Sequence, residues 1–131
     1  MKNRCKVLKT TYKVDEANKT VVCIIKWDMQ THKSRVPYWV FTEAKCNAAM
    51  FNENTSVGIS KCHPDDVFDV VKGKHIAESK AKAKMYRSAT KAYLKAMQYL
   101  EKTWINDLFH RNEACIRAYF GEMNHIEELG K

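Results

Sequence analysis

A chain of 131 residues that is 45% apolar and carries three Trp, six Tyr and five Phe can bury a core without a metal or disulfides, and its composition argues against disorder. Its formal charge of +8 points toward a polyanionic partner. Five cysteines, at positions 5, 23, 46, 62 and 115, form no C-x-x-C pair and match no zinc or disulfide framework, and no segment approaches 18 apolar residues, so neither a metal-stapled secreted module nor a membrane protein is expected. The basic amino terminus has no apolar run behind it, which argues against a signal peptide.

In chain order, Lys6 to Val14 reads as a strand, the cluster at 15–19 (DEANK) as a turn, and Thr20 to Met29 as a second strand. In that second strand Val22, Ile24 and Lys26 alternate against Val21, Cys23, Ile25 and Trp27, which predicts one nearly all-apolar face. After a polar loop, Tyr38 to Thr42 and Ala44 to Phe51 are expected to add one or two strands. A turn at 52–56 (NENTS) follows, and Val57 to Cys62 is expected to close the sheet.

His63-Pro64-Asp65-Asp66 is turn chemistry, because proline presets the second turn position and a following aspartate can cap a helix; Asp66 or Asp69 is the expected N-cap. From Asp69 to about His110 there is no proline, which allows either one helix of roughly 60 Å or a helical hairpin. Tyr86, Ala89, Tyr93, Met97, Leu100, Trp104 and Leu108 recur at helical spacing and predict the buried stripe. Lys80, Lys84, Arg87, Lys91, Lys95 and Lys102 follow the same rhythm about 200° away and predict a basic ridge opposite to it. Asn112 is expected to cap a further helix that Gly121 ends, followed by a short acidic tail helix. The fold class is therefore α+β: an N-terminal antiparallel sheet of three to four strands, a long amphipathic helix, and one or two short C-terminal helices. A single domain over residues 1–131 is expected, with a sheet part at 1–62 and a helical part at 66–131.

The charge is unevenly spread. Residues 1–13 hold Lys2, Arg4, Lys6, Lys9 and Lys13 and no acid, and residues 70–102 hold nine basic side chains against Glu78 and Glu101. From 103 onward five acidic residues face Arg111, Arg117 and Lys131. The basic ridge is the candidate surface for nucleic acid or a partner, although a hydrated lysine face is its bland alternative. Only Arg87 there offers a bidentate fork.

Tyr12, Trp27, Tyr38, Trp39 and Phe41 would serve as stacking platforms on the sheet, with core packing the competing role for each. Cys62, His63, Asp65, Asp66, Asp69 and His75 invite a metal or nuclease reading, but turn and cap roles explain the aspartates and a second ligand pair is missing. Adjacent Cys62 and His63 would point to opposite faces of a strand, which argues against a nucleophilic dyad. No phosphate-binding glycine loop is present in a chain with four glycines. No catalytic residue, metal ligand or cofactor is assigned.

The run Gly58-x-Ser60-x-Cys62-x-Pro64-x-Asp66-x-Phe68-Asp69, followed by Gly73, Ile76-Ala77 and Lys80-Ala81, resembles a strand-turn-helix signature of small proteins encoded by phages and prophages of Gram-positive bacteria. The resemblance covers about 25 of 131 residues and brings no assigned active site. It implies a protein of the host bacterial cytoplasm, and its context is that of accessory factors that block host immunity, anti-CRISPR proteins among them. The expectation is a non-enzymatic inhibitor that binds a bacterial defence protein or its RNA or DNA complex through the basic helix face. A general phage nucleic-acid-binding protein is the alternative, and a metal-dependent nuclease centred on Asp65, Asp66 and His75 comes third. An exposed aromatic carboxyl-terminal segment would favour a homodimer.

Overall fold

The computed structural model describes residues 5–131; Lys2 and Arg4 of the basic amino terminus lie outside the described residues. Three strands, β1 (Lys6–Asp15), β2 (Thr20–Asp28) and β3 (Asn54–Lys61), form one antiparallel sheet in the order β1-β2-β3. Helices α1 (Tyr38–Glu43) and α2 (Asn47–Met50) lie between β2 and β3, and α3 (Val70–Leu100) and α4 (Asn106–Leu129) follow. The architecture is α+β, as expected from the sequence. The chain divides into two compact units, Met1–Ala96 and Met97–Lys131.

The hairpin forms where the turn residues stand. Asp15 accepts hydrogen bonds on its two carboxylate oxygens from the main-chain and side-chain nitrogens of Asn18, at 3.2 and 2.7 Å. Lys19 then takes a left-handed φ of 49° and returns the chain to β2. Its ammonium donates to the carbonyls of Pro64 (2.8 Å) and Asp66 (2.6 Å), so one residue ties the hairpin end to the turn that precedes α3. Along β2 the predicted alternation holds, with Val21, Cys23, Ile25 and Trp27 all buried.

The stretch from Tyr38 to Met50 is not sheet. Aromatic and β-branched residues suggest strands there, yet Val40 and Phe41, adjacent in sequence, are both buried, which a strand with one solvent face does not allow. A Schellman closure ends α1: Lys45 takes φ 57°, its N–H donates to Thr42 O at 3.1 Å, and Cys46 N–H donates to Phe41 O at 3.0 Å. That job usually falls to glycine, so the stop was hidden from sequence. The 310 turn Thr31–Lys33 likewise opens from Gln30, at φ 56°.

Pro64 sits in the turn His63–Asp66, closed by the Asp66 N–H donating to His63 O at 3.0 Å. Asp69, not Asp66, is the helix cap: its Oδ1 accepts from the N–H of Lys72 at 3.1 Å.

The face that α3 buries differs from the predicted stripe. Gly73, Ala77, Ala81, Met85, Ala89, Ala92 and Ala96 are buried, whereas Tyr86, Tyr93, Met97, Trp104 and Leu108 are exposed. Of the predicted stripe only Ala89 is buried. The reason is close approach. A side chain on Gly58 of β3 would collide with the backbone of Ala77 and Ala81, and one on Gly73 would meet Val21. At that distance a helix seam has room for alanine, and larger apolar residues are displaced to its flank. The core comprises this seam, the inward residues of β2, Met29, Phe41, Cys46 and Ala49.

In the second unit, Glu101–Ile105 takes a π-helical turn whose flanking residues, Leu100 and Asn106, keep right-handed helical dihedrals. Asn112 and Gly121 both lie inside α4, so neither a cap at Asn112 nor a stop at Gly121 occurs. Gly121 meets nothing within 4 Å, and a glycine interior to a helix costs about 1 kcal/mol relative to alanine without breaking it. The C-terminal helix is thus one of 24 residues rather than two short ones.

Candidate polyanion-binding face

The sheet positions the basic ridge through one side of α3. At about 100° per residue, Lys80, Lys84, Arg87, Lys91 and Lys95 fall within an arc of about 80°, roughly 100° from the centre of the alanine seam. The ridge therefore flanks the buried face rather than lying opposite to it, and it runs alongside β3. Lys80 shows the relationship directly, since its ammonium donates to the carbonyl of Ile59 at 3.1 Å. A strand directs the N–H and C=O of alternate residues to the same side, so β3, an edge strand, turns the main-chain groups of Val57 and Thr55 toward the same flank as Ile59.

Two shallow depressions follow. One, of about 450 Å³, is lined by Thr55, Ser56 and Val57 of β3 and by Lys84, Arg87, Ser88 and Lys91 of α3. Its neighbour is lined by Asn47 and Ala48 of α2 and by Ser88, Lys91 and Lys95. Because Ser88 and Lys91 line both, the depressions adjoin, and together they make a groove with cations along one wall. Lys84, Arg87, Lys91 and Lys95 are exposed, and among the described residues none of them has an acidic partner. The four lie within residues 84–95 of the helix, about 16 Å along its axis. Lys102 lies in the π-helical turn, in the second unit, and is not placed with them.

On the opposite flank of α3 the charge of Lys82 is paired. Glu78 accepts from Tyr12 Oη at 3.0 Å and pairs with Lys82 at 3.0 Å. The Lys82 bond, followed by that from Tyr12, holds the Glu78 carboxyl below the usual carboxylate range. Desolvation, and then the Glu78 bond, push the Tyr12 hydroxyl up. Lys74 lies 5.3 Å from the centre of the Tyr12 ring. Lys74 on this flank has no acidic partner among the described residues, so the β3 side differs in carrying a row of four such cations rather than one.

Of the other sequence candidates, Cys62, His63, Asp66 and Asp69 line one pocket of about 440 Å³, and Asp65 and His75 do not. Cys62 Sγ lies 3.5 Å from the carbonyl of its neighbour His63, and the His63 Nδ1 faces the Asp65 N–H at 3.2 Å. Among the described residues no three His, Cys, Asp or Glu side chains gather as metal ligands. Trp27 and Phe41 are core residues, and Tyr38, Trp39 and Phe41 stand on α1, so no aromatic platform of these residues forms on the sheet. Sequence reading missed the part of the groove supplied by Thr55, Ser56 and Val57, because the placement of β3 beside α3 is set by Gly58, whose effect is spatial.

Comparison with protein-family models, with curated proteins and with solved structures gives no match. No helix of the described residues is long and apolar enough to cross a membrane.

Proposed function

We propose that this chain is a non-enzymatic binding protein that inhibits a bacterial defence nucleoprotein, laying the groove between β3 and α3 on the phosphates of the RNA or DNA its target carries. The observation that carries this reading is the set of four exposed cations, Lys84, Arg87, Lys91 and Lys95, with no acidic partner among the described residues. Surface lysines are normally interspersed with acids, and a one-sided row attracts a polyanion at the expense of self-repulsion. The phage-type signature at Gly58–Ala81 supplies the biological context.

The test is a pulldown of the tagged protein from a defence-carrying bacterial lysate, with and without nuclease, beside a variant carrying Lys84→Glu, Arg87→Glu, Lys91→Glu and Lys95→Glu. Recovery of one defence complex by the wild type and its loss in the folded variant is the expected result. A folded variant that retains full capture would overturn the role of the groove.

The composition of the row favours a second reading. With three lysines and one arginine it suits phosphates better than base edges, which fits a general nucleic-acid-binding accessory protein. That reading expects direct binding to bare DNA or RNA, with log affinity falling against log salt at a slope of about −3 to −4 for four phosphate contacts.

A further inference from the structure

Helix α4 has no buried residue, yet Leu108, Phe109, Tyr119, Phe120, Ile126 and Leu129 each expose 60% or more of their surface. Most of a helix's stability in a protein comes from packing of its apolar face, and an apolar stripe of this size needs a cover. The stripe has a register. Ile105, Phe109, Asn112, Ile116, Tyr119, Met123 and Ile126 recur at spacings of 4, 3, 4, 3, 4 and 3, a seven-residue repeat in which Phe109, Ile116 and Met123 hold the a positions and Ile105, Asn112, Tyr119 and Ile126 the d positions. The same pattern places Leu108, Cys115, Glu122 and Leu129 at g and Asn106, Glu113, Phe120 and Glu127 at e.

We propose that α4 pairs with α4 of a second copy of this chain as an antiparallel two-stranded coiled coil, in the register that sets Phe109 against Ile126, Asn112 against Met123 and Ile116 against Tyr119 of the second copy. The argument is self-complementarity. In this register every a residue from 109 to 123 meets a d residue, and Leu108 lies beside Leu129 of the second copy at both ends. Glu113 falls beside Phe120, Glu127 beside Asn106 and Glu122 beside Cys115, so no like charges meet. A parallel pair would set Asn112 against its own copy, a tolerated polar pair, but would place Glu122 beside Glu127 twice and Leu108 beside Glu113. It would also bring together the two acidic ends, which carry Glu122, Glu127 and Glu128 against Lys131. Charge and the four flanking leucines both select the antiparallel arrangement, and a foreign partner would give no reason for the helix to complement itself. The inference is independent of the function proposed for the groove.

Sedimentation equilibrium of the full chain tests the pairing: twice the 15.3 kDa chain mass is expected at micromolar concentration, with conversion to monomer by Ile116→Glu. A wild-type chain that sediments as a monomer throughout, or as a trimer, overturns the proposal. Orientation is read from Glu122→Cys oxidised with diamide, in which two thiols give two electrons and two protons to the oxidant. A covalent dimer is expected, formed with Cys115 of the second copy and lost when Cys115→Ser is added. Native Cys115 stands about 7.5 Å along the axis from its own copy in this register, beyond disulfide reach before the sideways separation is added, and should not cross-link by itself. A sedimenting dimer in which Glu122→Cys fails to cross-link overturns the antiparallel register.

Discussion

The carbonyl oxygen of Ala77 in α3 occupies the position that a side chain on Gly58 of β3 would need. The obstacle is backbone on a helix already pressed against the sheet, so neither partner can turn aside. Gly58→Ala should therefore cost about 3 kcal/mol or more, at the upper end of overpacking penalties. Gly73 is the instructive contrast. Its added methyl would meet Val21 Cγ2 at 2.8 Å, a side-chain end that can shift, and removing a helix-interior glycine returns about 1 kcal/mol. Gly73→Ala should lie within about 1 kcal/mol of wild type. Urea denaturation of both variants checks the pair, and equal losses would contradict the close approach at Gly58.

The bond from Tyr12 to Glu78 should give the fold a pH window. Glu78 has its folded carboxyl pKa lowered, so its contribution is present above the unfolded carboxylate range, about 4.3, and disappears as pH falls through the lower folded value. Tyr12 is raised, so its contribution is present below about 10 and disappears as pH rises through the folded value. The coupling energy of a Tyr12→Phe and Glu78→Gln double-mutant cycle should be constant near neutrality and fall toward zero at both extremes. A coupling unchanged at pH 3 would show that the ionised Glu78 is not its source.

Trp27 donates its indole N–H to Ser56 Oγ at 2.9 Å inside the core. Ser56→Ala strands that donor where water cannot reach it, at a cost of about 1–3 kcal/mol. Thermal unfolding measures the loss, which should exceed that of Thr55→Ala on the exposed side of the same strand.

Removing the cap of α3 has a smaller effect. Asp69→Ala leaves the Lys72 N–H without its side-chain acceptor and should lower stability by about 1 kcal/mol, while Asp69→Asn should restore most of it. Asp66→Ala, by the same measurement of urea midpoint, should be close to wild type.

How far the fold was legible depended on whether the signal was local. The β1-β2 hairpin was readable because Asp15 and Asn18 make the turn themselves and because Val21, Cys23, Ile25 and Trp27 alternate. The turn at Pro64 and the helix from Asp69 onward were readable for similar reasons. What failed depended on distance in space. The seam of α3 is alanine because Gly58 lets the helix approach, and no spacing rule weighs Ala92 above Tyr93. Helix α1 hid behind strand-forming residues, and its stop at Lys45 carries no glycine. The cations of the groove were found by their spacing; its second wall, Thr55, Ser56 and Val57, was not.

Lys19 ties two carbonyls 45 and 47 positions away, and the Tyr12 to Glu78 bond closes 66 positions. Alanine buries little apolar area, so the seam of α3 offers weak attraction until the sheet beneath it has its final shape. Long closures must be met before such contacts return anything. The docking of α3 therefore belongs late in folding, after β3 has joined the hairpin. The groove, which exists only where β3 and α3 meet, is completed at that same late step: a chain stalled before it carries all its lysines and none of the groove.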